Sequence, residues 1–371
     1  MLVQQFFGVE KYATFVNEKF IPFRTVVEEK EGEELRERYE VAGFPSVVFA
    51  KSDGSLYDIL TSYNENPNHY IQRVQNALEG KETYAFLKAQ YDRNPNDLKN
   101  AYDMANKHFQ MWQSGKAAEY SRKILERSEE AKAMEVLLND QKINLYEAAR
   151  YAVALDELFD NQSPEALEAF RSEFHESILS DDVYSQLARA YLRLPLSDEG
   201  DAFYADLKEK YPENPRLLSR LVQYYTKKGE NLDEGEKYAR KLIALEPKSS
   251  GYRENAADLL LKKEQPDAAV EIYGESYMKG YMDDTGALNS YAWYWALKAH
   301  NLESALKAIK KAFRLNPKDA NLLDTMSMVY WKMKDYQKAI EVEEKAYRMN
   351  PLSDYQERIE QIRKDMKESK Q

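Results

Sequence analysis

The chain has 371 residues, with 53 Lys plus Arg against 64 Asp plus Glu and no cysteine. A net charge of −11 without a dense basic run argues against nucleic acid as a partner. The lack of cysteine excludes disulfides, thiolate nucleophiles and thiolate metal sites, and no apolar run approaches the ~20 residues that span a bilayer.

Met1–Gly8 has neither a basic n-region nor a long apolar core, so no export signal is expected in the chain as written. The compartment stays open. Phe20–Val27 is rich in aromatic and β-branched residues and predicts a strand. Glu33–Tyr39 predicts a short helix, Gly43–Phe49 a second strand, Leu56–Thr61 a third after the Ser52-Asp-Gly turn, and His69–Leu78 a closing helix. The resulting order over residues 1–80 is β-α-β-β-α.

That order, with Arg38-Tyr-Glu-Val-Ala-Gly-Phe-Pro-Ser-Val-Val-Phe49 and Ser52-Asp-Gly54, resembles the C-terminal half of a thioredoxin-like domain. The resemblance implies a partial thioredoxin-like α/β module at 1–80. It also implies a cis proline at Pro45, beside the place of the family's active site. The family's Cys-x-x-Cys and its preceding strands have no counterpart here. Either the chain is a piece of a longer oxidoreductase whose catalytic half lies upstream, or the module is a remnant kept for packing. In both cases the chain as written runs no thiol–disulfide exchange, which needs a thiolate.

From Lys81 on, the pattern reads helical throughout. Asn94–Asp97 is a turn and cap, followed by helices at Asp97–Met111 and Gly115–Glu126. Residues 129–162 fit a repeat poorly, so an extra helix or long connector is expected there. Small residues then recur at Ala166, Gly200, Gly235, Ala269, Ala305 and Ala339, at steps of 34, 35, 34, 36 and 34. Pro212, Pro247, Pro317 and Pro351 keep the same beat; a proline ends a helix because it disfavours the helical region for the residue before it and donates no bond. Ala292 and Ser327 lie midway along first helices, Ala305 and Ala339 on second helices, where slender side chains let two backbones cross closely. Tyr355–Lys367 predicts a terminal capping helix.

A helix–turn–helix period near 34, as in Leu288–Pro317 and Leu323–Pro351, resembles the tetratricopeptide repeat family. The resemblance implies that residues 81–371 form an all-α solenoid that binds a protein or peptide on its concave face. On that face it places Trp293, Met328 and Trp331 as an apolar patch for a partner, or as packing against the next repeat. Places that hold a Lys/Asn/Arg carboxylate clamp in some relatives carry Ser185, Arg189, Arg220, Gly251 and Asn255, which is not the clamp pattern; Arg189 could still meet an acidic ligand.

No catalytic constellation is apparent. His69, His108, His175 and His300 lie in separate elements without metal-ligand spacing, and His108 reads as a satisfied interior group. Phosphate-loop, dinucleotide and nucleophile-elbow motifs are missing, so no cofactor is expected. The expectation is a redox-inactive, non-enzymatic scaffold.

Overall fold

A computed structural model describes residues 10–23, 25, 30–61, 67–138, 141–161, 163–174, 177, 179–351 and 353–369. It divides into two compact units, Met1–Leu194 and Pro195–Gln371.

In the first unit, helices α1 (Glu10–Lys19) and α2 (Lys30–Arg38) precede strands β1 (Ser46–Ala50) and β2 (Leu56–Thr61), then α3 (Pro67–Leu78). The strands pair antiparallel, Val47 opposite Leu60 and Val48 opposite Ile59. Side chains alternate across a strand, so each face of this hairpin needs its own cover. Phe49 and Leu60 pack with Val16 of α1 and Val74 of α3. On the other face Ile59 packs with Tyr39, Val41 and Met111. The strand expected over Phe20–Val27 is not present at Phe20–Phe23 or Thr25, and its other residues lie outside the described ones. Among the described residues the N-terminal sheet is a two-stranded pair. The Phe44–Pro45 peptide bond is cis.

Helices α4 (Tyr84–Arg93), α5 (Leu98–Gln110) and α6 (Ser114–Leu125) follow. Asp97 caps α5 by accepting from the Lys99 and Asn100 amides. A buried ion pair ties β2 to α5: Lys107 Nζ lies 2.6 Å from Asp58 Oδ1, both side chains nearly inaccessible. Asp58 also accepts from the Tyr84 amide at the start of α4, and the Thr61 hydroxyl donates to the Gln110 carbonyl. His108 is buried, with Nδ1 2.7 Å from Gln113 Oε1 and its ring stacked on Tyr120.

Beyond a short helix α7 (Ser128–Lys132), the all-helical expectation fails. Strands β3 (Glu135–Leu138) and β4 (Gln141–Asn144) pair antiparallel before the 17-residue α8 (Leu145–Asn161). The opposed pair Val136 and Ile143 is buried while flanking residues stay accessible, the alternation of a half-buried strand. Helices α9 (Pro164–Phe174) and α10 (Ser180–Arg193) complete the unit.

The second unit contains helices α11 (Asp198–Lys210), α12 (Pro215–Lys228), α13 (Leu232–Leu245), α14 (Ser250–Lys262), α15 (Pro266–Ile272), α16 (Glu275–Met278), α17 (Thr285–Lys298), α18 (Leu302–Leu315), α19 (Ala320–Lys332), α20 (Tyr336–Met349) and α21 (Ser353–Glu368). Pairs α12/α13, α17/α18 and α19/α20 are helical hairpins, and the first helices α12 and α14, like α17 and α19, lie side by side. The prolines end helices as expected: α18 stops two residues before Pro317, and α20 two before Pro351.

The small residues of the second unit are buried where helices pack, while Ala166 of α9 is only half-buried. Ala269, Ala292, Ala305, Ser327 and Ala339 are fully buried. At Gly235 of α13 a Cβ would come 2.6 Å from Leu259 of α14 and 2.9 Å from the Cβ of Tyr225 on α12, so no larger residue fits without movement. The exception to regularity is α15, which stops after seven residues, α16 resuming at Glu275. The Tyr273 carbonyl left at this break accepts from the buried Trp295 indole at 2.8 Å.

Candidate peptide-binding cleft

Two features of the second unit are candidate sites. The first is a cleft of about 400 Å³ on α12 and α14, lined by Arg216, Ser219, Arg220, Gln223, Gly251, Tyr252, Glu254 and Asn255. Positions 216, 220 and 223 follow the 3–4 residue spacing of one helix face. Gly251 keeps the opposite wall low, since a Cβ there would meet nothing within 4 Å.

The cleft's polar groups are joined in a chain. Arg220 donates to Gln223 Oε1 at 3.0 Å, Gln223 donates to Asn255 Oδ1 at 3.1 Å, and Asn255 donates to the Ser219 hydroxyl at 2.8 Å. Such bonding fixes rotamers before a ligand arrives, so less side-chain entropy is lost on binding. Glu254, the acid in the lining, turns inward. It accepts from the Tyr273 hydroxyl at 3.1 Å, and burial raises its carboxyl above the ordinary range. Arg216 and Arg220 bring two guanidinium groups to the lining.

The second feature is the patch of Trp293, Met328 and Trp331. Each of these side chains meets a residue of α21. The Arg358 guanidinium lies over the Trp293 ring at 5.5 Å, with Nη1 4.0 Å from Met328 Sδ. The Trp331 indole donates to Asp365 at 3.0 Å. Met328 is buried, and both tryptophans are half-buried.

Arg189 lies on α10 of the first unit. It lies over the Phe159 ring at 5.0 Å and bonds Gln186 at 3.3 Å. Ser185 beside it is buried. Pro45 is exposed next to Phe44. Sequence reasoning compared Arg220, Gly251 and Asn255 with a carboxylate clamp and set them aside, and it did not consider Arg216, Gln223 and Tyr252. The signal was available in the 216/220/223 spacing.

Residues 320–351 match the family model of the tetratricopeptide repeat. That segment is α19, α20 and the turn to Pro351. Among solved structures, a tetratricopeptide repeat protein from Parabacteroides merdae aligns with 16% identity and TM-score 0.47, over 71% of this chain and 98% of that one. YrrB, described as a tetratricopeptide repeat protein with an unusual peptide-binding site, aligns with 20% identity and TM-score 0.32, over 51% and 96%. The human IFIT1 dimer with m7Gppp-AAAA aligns with 15% identity and TM-score 0.36, over 81% and 62%. No curated protein matches the chain.

Among the described residues no helix is long and apolar enough to cross a membrane, and no cluster of three or more His, Asp or Glu could hold a metal ion.

Proposed function

We propose that the protein is a non-catalytic scaffold that holds an acidic peptide segment of a partner protein in the α12/α14 cleft. The observation that carries this reading is the pairing of Arg216 and Arg220 with the Gln223–Asn255–Ser219 chain along an open 400 Å³ cleft. Guanidinium groups bind carboxylates by charge-assisted bonds, and ordered amide and hydroxyl groups beside them can meet a peptide backbone. A helical-repeat fold fits this role, since its stacked first helices present one continuous face. Nucleic acid is disfavoured by the chain's net charge of −11.

The test is fluorescence anisotropy of the full chain with a labelled Glu-rich peptide and a Lys-rich peptide of equal length. The Glu-rich peptide should bind and weaken with salt. An Arg216→Ala/Arg220→Ala double variant should lose about tenfold or more, as expected for charged bonds worth ~1.5–3 kcal/mol each. Equal binding of both peptides, or an unaffected double variant, would overturn the reading.

A second reading concerns residues 1–80 and is favoured by the β1–β2 hairpin flanked by α2 and α3. Here they are a partial thioredoxin-like module, 81–371 the repeat segment, and the chain a fragment of a thiol–disulfide oxidoreductase. An in-frame Cys-x-x-Cys in the coding sequence upstream of Met1 would support it; a stop codon there would remove it.

A further inference from the structure

Helix α21 closes over the Trp293–Met328–Trp331 patch by contacts of mixed quality. Some are well made: Tyr355 donates to Asn321 at 3.1 Å, Arg363 pairs with Glu344 at 2.9 Å, and Ile359 and Ile362 are buried. At the centre is a poorly satisfied cluster from three helices, Asp324 of α19, Glu343 of α20 and Arg358 of α21. Glu343 is fully buried. Arg358 Nε lies 2.9 Å from Asp324 Oδ1 and 3.6 Å from Glu343 Oε1. Neither contact is aligned as a hydrogen bond, and both Glu343 oxygens, Asp324 Oδ1 and Arg358 Nε lack a well-aligned partner, although Asp324 and the Ser327 hydroxyl lie close enough to Glu343 to act on its charge. One cation therefore faces a buried carboxyl and a half-buried one. With both ionised the cluster holds an uncompensated negative charge away from water, which is costly. A single proton removes that charge and supplies a donor.

We propose that α21 is a proton-dependent latch: a proton on the Asp324–Glu343 pair keeps the helix down, and its loss releases the helix and bares Trp293, Met328 and Trp331. The surrounding charges agree in direction. Burial, then the Asp324 charge, push Glu343 up to about 9, against the pull of Arg358. Burial also raises Asp324, with Asp354 of α21 adding to it and Arg358 opposing. Released, the pair returns toward the ordinary carboxylate range, so docking takes up protons. The latch is then at full strength below that range and weakens as pH rises toward 9, by up to about tenfold per pH unit.

The experiment is hydrogen–deuterium exchange of the full chain at several pH values from 6 to 9, corrected for intrinsic exchange rates. The opening constant of α21 should rise at least about tenfold over that range relative to α19. Glu343→Gln, neutral at every pH, should flatten the dependence while keeping α21 protected. If Glu343→Gln is not helical by circular dichroism, Asp324→Asn decides in the same way, because a lone Glu343 beside Arg358 ionises without excess charge. An α21 opening constant independent of pH in the unmodified chain would overturn the proposal. So would a folded neutral variant that keeps the original slope.

Discussion

The Ser327 hydroxyl donates to the main-chain carbonyl of Ala339 at 2.8 Å, across the crossing of α19 and α20. Both residues are fully buried. A side chain one atom beyond Cβ can reach the facing backbone only where two helices nearly touch, so this bond measures how close the small residues let them come.

Ser327→Ala should cost about 1 kcal/mol, the net worth of one hydrogen bond, because the Ala339 carbonyl keeps its place in the α20 ladder. Ser327→Leu should cost more, about 1–3 kcal/mol, by forcing the helices apart. Urea unfolding of the two variants checks the order.

Gly235→Val puts branched carbon against Tyr225 and Leu259. Removing glycine from a helix interior gains several tenths of a kcal/mol at most, whereas overpacking costs about 1–3. Packing should win, and the variant should unfold at lower denaturant than the parent protein.

Lys107→Met strands Asp58 in the interior. A buried pair broken from one side costs about 3–5 kcal/mol. Hydrogen exchange should show β2 losing protection along with the start of α4, since Asp58 also holds the Tyr84 amide.

Burial lowers the His108 imidazole below its ordinary value, against a smaller raising effect of Gln113. The unfolded chain thus takes up a proton that the folded one resists. Stability is fully present above the unfolded value near 6.5 and falls as pH drops through that value toward the lower folded one. His108→Gln should remove this part of the acid-side decline, read as thermal midpoints between pH 5 and 7.

The hairpins were legible because their signal is periodic. Ala305 and Ala339, or Pro317 and Pro351, reveal each other by a shared offset of 34. The β3–β4 pair had no such support. Each strand is four residues long, with one polar position in β3 and three in β4, so no alternating run stood out. At Phe20–Phe23 and Thr25 the opposite holds: local β propensity did not produce a strand there. That Trp293, Met328 and Trp331 share a helix phase was readable; that α21 covers them was not. Arg358 lies 65 and 30 positions beyond the Trp293 and Met328 it meets, and only the Trp331–Asp365 contact falls on the 34-residue period. Arg216 and Gln223 were overlooked for a different reason: they fall outside the clamp positions against which that face was compared.

The carbonyl that α15 leaves behind at Tyr273 finds its donor in Trp295, on the following hairpin. Units in an idealised array are interchangeable, but these two are not. Transplanting either into another protein, or deleting the later one, strands a polar atom in the dry interior of the earlier one. Evolution can lengthen this array at its ends more cheaply than it can shuffle its middle.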